Sequence, residues 1–244
     1  MGIPILPSNA IMKIQLRKFV LTSLAGFLLV PSLGGSFLRG QAVPATSSAR
    51  KTSTPYTGDL SIFEYQGRDQ KLQIQRVMDI LGIKTGVTVA DVGAGSGWFT
   101  VRAARRVGPT GMVYASDINP QSSTYIKQRA AREGLTNIQA IAGAEDDPML
   151  PPHAIDCVLL LKTYHEVAHP LRLLEKVRAA LKPGARVGVI DRDGRGDDHG
   201  IGRQVVIDEF QQAGFALHKQ FDFVKPDGMD YFLVFTPARE LRAE

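Results

Sequence analysis

Short apolar runs alternate with segments of helical periodicity from residue 68 to residue 237. The apolar runs are rich in β-branched residues and end at glycine, proline or polar clusters, which is typical of buried strands. They predict strands at Val87–Val92, Met112–Ser116, Ile138–Ala142, Ile155–Leu161, Ala185–Ile190, Ala216–Val224 and Asp230–Phe235. The helical spacing predicts helices at Arg68–Gly82, Gly97–Val107, Pro120–Glu133, Pro170–Leu181 and Arg203–Ala213.

This alternation predicts an α/β fold, with a doubly wound, mostly parallel seven-stranded sheet that carries helices on both faces. No helix separates the last two predicted strands; a Lys-Pro-Asp-Gly turn joins them instead. Two strands joined directly in this way pair antiparallel. We therefore expect the sheet to end in a C-terminal antiparallel hairpin.

The first predicted strand runs into a turn that contains Gly93, Gly95 and Gly97 and is followed by a helix. Glycines at such a turn let the main chain bend sharply and leave room for a ligand against the backbone. Their G-x-G-x-G spacing differs from the G-x-G-x-x-G of dinucleotide-binding proteins and from the G-K-[ST] ending of phosphate loops. Asp91, two residues before the first glycine, favours a cationic ligand over a pyrophosphate. The alternative is a glycine turn that binds nothing.

Residues 1–45 differ in composition from the rest of the chain. They hold no acidic residue, and three basic residues precede an apolar run from Phe19 to Leu33. Small residues follow at Gly40, Ala42 and Ala45. A basic start, a short apolar core and a small-residue exit are typical of a secretory signal peptide. An uncleaved N-terminal anchor is the alternative, although the run is short for a span of about 20 apolar residues.

The predicted organisation is a signal peptide or anchor at 1–45, a flexible linker at 46–67 and one domain at 68–244. The whole chain has a formal charge of +5, but residues beyond 45 hold 25 basic and 24 acidic side chains. This near neutrality removes the electrostatic footprint expected of a nucleic-acid-binding protein, so no nucleic-acid partner is expected. The single cysteine, Cys157, lies in an apolar run and is expected to be a buried core thiol.

The sequence D-V-G-A-G-S-G at 91–97 resembles motif I of the class I S-adenosylmethionine (SAM)-dependent methyltransferases. The stretches A-S-D-I-N-P, I-D-C-V-L-L-L-K-T-Y-H-E-V and L-K-P-G-A-R-V extend this likeness over residues 68–236. The last two are similar to the small-molecule branch that includes ubiquinone- and arsenite-type enzymes. The resemblance implies SAM as cofactor and a seven-stranded sheet with one antiparallel strand, in agreement with the predicted strands.

Ligands of parallel sheets bind at the carboxyl ends of the strands, where Asp117 and Ile118 follow the second predicted strand. A carboxylate at the position of Asp117 suits both ribose hydroxyls of a nucleoside. In the resembling family a carboxylate after strand three often contacts the adenine amino group. This chain has Ala144 where many relatives have that residue, so the role falls to Glu145 or Asp146. A solvated acidic turn is the alternative.

The segment after the fourth predicted strand contains Tyr164, His165 and Glu166. Histidine exchanges protons near neutral pH, so His165 is the candidate general base, with Tyr164 and Glu166 as orienting neighbours. The alternative is a histidine that caps the next helix. No metal site is expected, because His169 is followed by Pro170 and a third ligand is missing.

These observations predict a SAM-dependent methyltransferase that acts on a small molecule or an exposed protein group. A non-catalytic module with the same fold is one alternative, and an NAD-dependent oxidoreductase, disfavoured by the glycine spacing, is another. The N-terminal segment predicts an exported or membrane-anchored protein, with a cytoplasmic enzyme as the alternative. Contact with a membrane is expected only through that segment.

Overall fold

The computed structural model describes residues 49–238, apart from 53, 55, 196, 197 and 226. Its strands are β1 (Thr88–Val92), β2 (Met112–Asp117), β3 (Ile138–Ala142), β4 (Ile155–Leu161), β5 (Leu181–Arg192), β6 (Phe215–Phe221) and β7 (Asp230–Pro237). They form one sheet in the order β3-β2-β1-β4-β5-β7-β6. Neighbours pair parallel from β3 to β5, whereas β7 pairs antiparallel with both β5 and β6. The predicted antiparallel strand is therefore β7, which lies between β5 and β6.

Helices cover both faces of the sheet. They are α1 (Arg68–Leu72), α2 (Ile74–Leu81), α3 (Trp98–Val107), α4 (Pro120–Arg132), α5 (Pro170–Ala180) and α6 (Arg203–Gln212). Residues of α5 and α6 pack with Val158 and Leu160 of β4 on one face. Residues of α2 and α3 pack with Cys157 and Leu159 on the other face. This alternation follows from the period of two along a strand, and it buries β4 on both sides.

The predicted bounds of β3 and β4 are confirmed, and the predicted burial of Cys157 is confirmed as well. The helix predicted over Arg68–Gly82 was wrong in one respect, because Gln73 interrupts it with a φ of 47°. The Gln73 side chain donates a hydrogen bond from Nε2 to the carbonyl of Phe223 (2.9 Å), a tertiary contact that local periodicity does not report. Strand β5 also begins earlier than predicted, at Leu181.

The predicted signal peptide or anchor at 1–45 lies outside the described residues, and the export inferred from it stays a prediction. Among the residues that the structure describes, none of the helices has the length and apolar character to cross a membrane. The segment 46–67, predicted to be a linker, contributes a 3-10 helix at Leu60–Glu64 whose first residue is buried. Asp59 caps it by accepting a hydrogen bond from the amide of Ser61 (2.9 Å).

Candidate active site

A cavity of about 740 Å³ opens at the carboxyl edge of β1 and β4. The glycine turn after β1, the loop after β2 and the turn after β4 form three of its walls. The 3-10 helix Leu60–Glu64 forms a fourth wall through Leu60, Ile62 and Phe63. This volume falls within the range of about 300–1,000 Å³ that small-molecule sites occupy. The position matches the edge at which open parallel sheets bind ligands.

All three glycines of the turn have positive φ, but a side chain would meet different neighbours at each. A Cβ at Gly93 would lie 2.2 Å from the side chain of Thr163, and one at Gly97 would lie 2.9 Å from Ile126. A Cβ at Gly95 would meet only the Phe63 ring, at the ordinary contact distance of 3.4 Å. Gly93 and Gly97 therefore serve close packing of the protein, whereas the space beside Gly95 belongs to the cavity.

Asp117, at the end of β2, lines the cavity and holds the glycine turn in place. Its Oδ2 accepts a hydrogen bond from the amide of Gly95 (2.7 Å), and its Oδ1 accepts one from the amide of Asn119 (2.8 Å). Each carboxylate oxygen has two lone pairs, so both can accept a further hydrogen bond from a ligand. Ile118 beside it lines the cavity and is 45% exposed, which leaves an apolar surface for a flat ring.

Asp91 is buried at the base of the same turn. Its Oδ2 accepts a hydrogen bond from the hydroxyl of Thr100 in the first turn of α3 (2.6 Å). The pKa of Asp91 is raised to about 7, mainly by burial and in part by Asp117, while the Thr100 hydrogen bond and Arg68 oppose the rise. A cation bound in the cavity would favour the ionised form, which agrees with the cationic ligand predicted from this carboxylate.

The two acidic residues predicted after β3 lie in different places. Glu145 lines the cavity together with Ala144. Asp146 does not line it; the carboxylate lies 3.3 Å from the guanidinium of Arg172 on the surface. Of the two, only Glu145 lies where it can contact a ligand.

Tyr164, predicted to orient the catalytic group, points away from the cavity. Its ring is fully buried, and its hydroxyl donates a hydrogen bond to Glu209 Oε2 (2.8 Å) on α6. Arg50 pairs with the same carboxylate (2.7 Å) and donates a hydrogen bond to the carbonyl oxygen of Tyr164. Burial and Glu209 raise the pKa of Tyr164 well above its ordinary value. Tyr164 therefore ties residue 50 to the domain and does not face a ligand.

His165 is buried, lines the cavity and is held by a carboxylate on the adjacent strand. Its Nδ1 lies 2.9 Å from Asp191 Oδ1, and its backbone amide donates a hydrogen bond to Asp191 Oδ2 (3.0 Å). A carboxylate accepts hydrogen bonds, so Nδ1 of the neutral ring carries the proton and Nε2 keeps its lone pair. Nε2 lies 3.7 Å from Oε1 of Glu166, whose pKa burial raises to about 7.

His199 is a residue of this site that the sequence did not predict. It lies in the loop after β5, lines the cavity, and places its ring 5.8 Å from that of His165 at an angle of 84°. Sequence spacing brought only His169 into consideration, and it was set aside because Pro170 follows it and a third ligand is missing. Asp191 lies near the end of β5. The order of β4 and β5 in the sheet makes it the partner of His165.

The chain is similar to known methyltransferases over its central part. A family described as "Methyltransferase domain" matches residues 89–184. The ubiquinone/menaquinone biosynthesis C-methyltransferase UbiE of Pseudomonas entomophila is 26% identical over 157 residues, which cover 62% of this chain and 61% of that protein. The enzyme of the same name from Ectopseudomonas oleovorans is 26% identical over 152 residues, 60% of this chain and 89% of that protein. The chain therefore spans about three fifths of the first relative's length.

Solved structures share the fold. A SAM-dependent methyltransferase from Aquifex aeolicus superposes with a TM-score of 0.66 at 24% identity, over 73% of this chain and 98% of that one. The cyclase SpnF superposes with a TM-score of 0.60 at 14% identity, over 80% of this chain and 89% of that one. These identities establish the fold alone, and the second neighbour is named as a [4+2]-cyclase, a reaction other than methyl transfer. The reaction must therefore be argued from the site.

Proposed function

We propose that this chain, which belongs to the class I SAM-dependent methyltransferases, transfers a methyl group from SAM to a small-molecule acceptor. One observation carries the proposal: the glycine turn with Asp117 and the side chain of His165, which Asp191 holds from behind, line the same cavity. A methyl donor held at the first would therefore lie beside a proton acceptor at the second. A shared cavity of this kind is what a transfer between two bound molecules requires.

The residues at the glycine turn fit SAM. Asp117 has lone pairs to accept hydrogen bonds from the ribose hydroxyls, Ile118 offers an apolar surface to the adenine, and Glu145 can accept from its amino group. Gly95 leaves free space where the methionine portion approaches the backbone. The buried carboxyl of Asp91 favours a ligand with positive charge. SAM supplies a methyl group already activated by its sulfonium, so the protein has mainly to position the acceptor.

The residues that follow β4 support proton removal from the acceptor. The Asp191 carboxylate fixes the tautomer and orientation of His165, which leaves Nε2 able to accept a proton from a hydroxyl or a protonated amine. Apolar side chains of Leu60, Phe63 and Val167 line the same cavity. We therefore propose an acceptor with an apolar body and one ionisable oxygen or nitrogen, a small molecule rather than an exposed protein group.

Calorimetry with SAM and with NADH, followed by a metabolite screen with methyl-labelled SAM, tests the proposal. We expect the protein to bind SAM and not NADH. In the screen it should transfer the labelled methyl group to one class of small molecules. Binding of NADH in place of SAM would support the oxidoreductase alternative. Binding of SAM with no transfer to any acceptor would support the non-catalytic module.

The base is tested with His165→Ala, using the exposed His153→Ala as a matched control. We expect His165→Ala to keep its SAM affinity and to lower turnover by roughly 10²–10⁴-fold, the usual contribution of a general base. The loss should be smaller for an acceptor that is already deprotonated. Unchanged turnover in His165→Ala would eliminate the base, and a parallel loss of stability and SAM binding would assign His165 a structural role.

A further inference from the structure

Three side chains with metal-binding atoms meet at the cavity, in the segments that follow β4 and β5. His165, Glu166 and His199, here called the histidine–glutamate cluster, each place one such atom within 4.8 Å of the others. The two histidine rings lie nearly perpendicular, and Nε2 of His165 lies 3.7 Å from Glu166 Oε1. His165 is buried, Glu166 half-buried and His199 exposed, so the cluster runs from the floor of the cavity to its rim.

The contacts behind His165 are those of a metal ligand. Histidines that bind metals commonly donate their other ring N–H to a carboxylate, which fixes the ring and raises its basicity. Asp191 occupies this position, 2.9 Å from Nδ1 and with no exposed surface. Glu166 adds a half-buried carboxylate, with Oε1 3.7 Å from Nε2 of His165.

We infer that the histidine–glutamate cluster binds one divalent transition-metal ion, with zinc as the best-fitting representative. Two imidazole nitrogens and one carboxylate oxygen suit zinc and its neighbours, whereas magnesium and calcium prefer oxygen ligands alone. Three protein ligands leave a fourth position open towards the cavity, the arrangement of catalytic zinc sites.

Closing the site requires a modest movement. Ligand atoms around a tetrahedral ion lie about 3.4 Å apart when metal–nitrogen distances are about 2.0–2.1 Å. The cluster, with separations up to 4.8 Å, is slightly too open. Closing the difference requires the exposed side chain of His199 and the half-buried side chain of Glu166 to move, because Asp191 holds His165.

The inference goes beyond methyl transfer, because binding of the ion is measurable without SAM. It also gives the acceptor end two states. Without the ion, Nε2 of His165 is available to take a proton. With the ion bound, Nε2 would be a ligand and would no longer be available as a base.

Titration of the chelator-stripped full chain with Zn²⁺ and Mg²⁺ by calorimetry tests the site. We expect one Zn²⁺ per chain and no binding of Mg²⁺ at the cluster. Co²⁺ should give the visible absorption of a four-coordinate site. His199→Ala and Glu166→Gln should each weaken Zn²⁺ binding at least about tenfold, and Asp191→Asn by about 10–100-fold through the orientation of His165.

His218→Ala is the matched control, because His218 is exposed on β6 and lines no part of the cavity. Wild-type Zn²⁺ affinity in His199→Ala, or an equal loss in His218→Ala, would overturn the site. SAM affinity of the stripped protein is measured in parallel, so the two proposals fail separately. SAM binding without Zn²⁺ binding removes only the metal site, and Zn²⁺ binding without SAM binding removes only the proposed methyl transfer.

Discussion

Two sides of the cavity are built differently. The side at the glycine turn after β1 is formed by main chain, whereas the side that contains His165 and His199 is formed by side chains. Gly93, Gly95 and Gly97 lie within five consecutive residues, and the Gly95 amide is held by Asp117. The histidine side joins the turn after β4 to Asp191 at the end of β5 and His199 in the following loop. Both sides lie at the same edge of the same sheet.

The difference follows from what each side has to do. A ligand shared by a whole family can be bound by backbone amides where glycines leave room for it. A few consecutive residues are enough to encode such a site. An acceptor and its chemistry need particular side chains, which separate loops supply at the strand ends. Substitutions that add a side chain should therefore impair the glycine-turn side, and substitutions that remove a functional group should impair the histidine side.

The largest effect is expected from Gly95→Val. The new side chain would occupy the cavity beside Phe63, so we expect SAM binding to be lost while the domain stays folded. Gly184→Val is the control, because Gly184 also has a positive φ (79°) but nothing lies within 4 Å of its Cβ position. In both variants a valine must adopt a left-handed backbone conformation, which costs about 1–2 kcal/mol. The two variants should therefore lose similar stability, and calorimetry should find that they differ only in SAM affinity. Equal SAM affinity in the two variants would contradict the hypothesis that SAM binds against the main chain at Gly95.

A second effect concerns pH, because both sides hold a carboxyl with a pKa raised to about 7. A carboxyl with a raised folded-state pKa binds its proton more tightly in the folded protein, so stability falls as pH rises from about 4 to 7. The free energy of unfolding should fall less steeply with pH in Asp91→Asn. We expect the slope to be smaller by up to about 1.4 kcal/mol per pH unit. Denaturant unfolding at several pH values across that range measures the slope. Part of the slope should remain in Asp91→Asn, because Glu166 still titrates there.

Asp208→Asn, at an exposed position on α6, is the control for that measurement and should keep the wild-type slope. If Asp91→Asn and Asp208→Asn have the same slope as the wild type, the buried carboxyl of Asp91 is not the group that titrates.

Asp117→Ala should have a smaller effect on SAM binding than Gly95→Val. It removes an acceptor from the ribose site and also the bond that holds the Gly95 amide. We expect a loss of about 1.5–3 kcal/mol in SAM binding, the range for hydrogen bonds to a charged group. Calorimetry measures the affinity, and thermal unfolding reports the loosened turn. Unchanged affinity would remove Asp117 from the site.

The smallest effect separates the two acidic residues after β3. Asp146→Ala breaks only an exposed ion pair with Arg172, so we expect no change in SAM affinity and a stability change below about 1 kcal/mol. Glu145→Ala should weaken SAM binding by about 0.5–1.5 kcal/mol, the value of one hydrogen bond. A larger loss of affinity in Asp146→Ala than in Glu145→Ala would reverse the assignment.

The sequence by itself determined the α/β sheet, the presence of an antiparallel strand in the last pair, and the glycine turn. These features depend on local spacing: periods of two and 3.6 for strands and helices, and glycine where the main chain needs positive φ. Asp117 was predictable for the same reason, because the carboxyl ends of neighbouring parallel strands meet at one edge. The family resemblance and the site therefore agree on this side of the cavity.

Only the tertiary structure decided the other side. Three consecutive residues were predicted to act at one site, His165 as the base and Tyr164 and Glu166 as its orienting neighbours. The 3-10 helix that contains them instead turns Tyr164 towards Glu209 and the other two towards the cavity. Asp191 and His199 join them through strand order and a distant loop, and Phe63 joins through a segment predicted to be a linker. No local pattern encodes these contacts, because they follow from the packing of separate segments around one sheet edge.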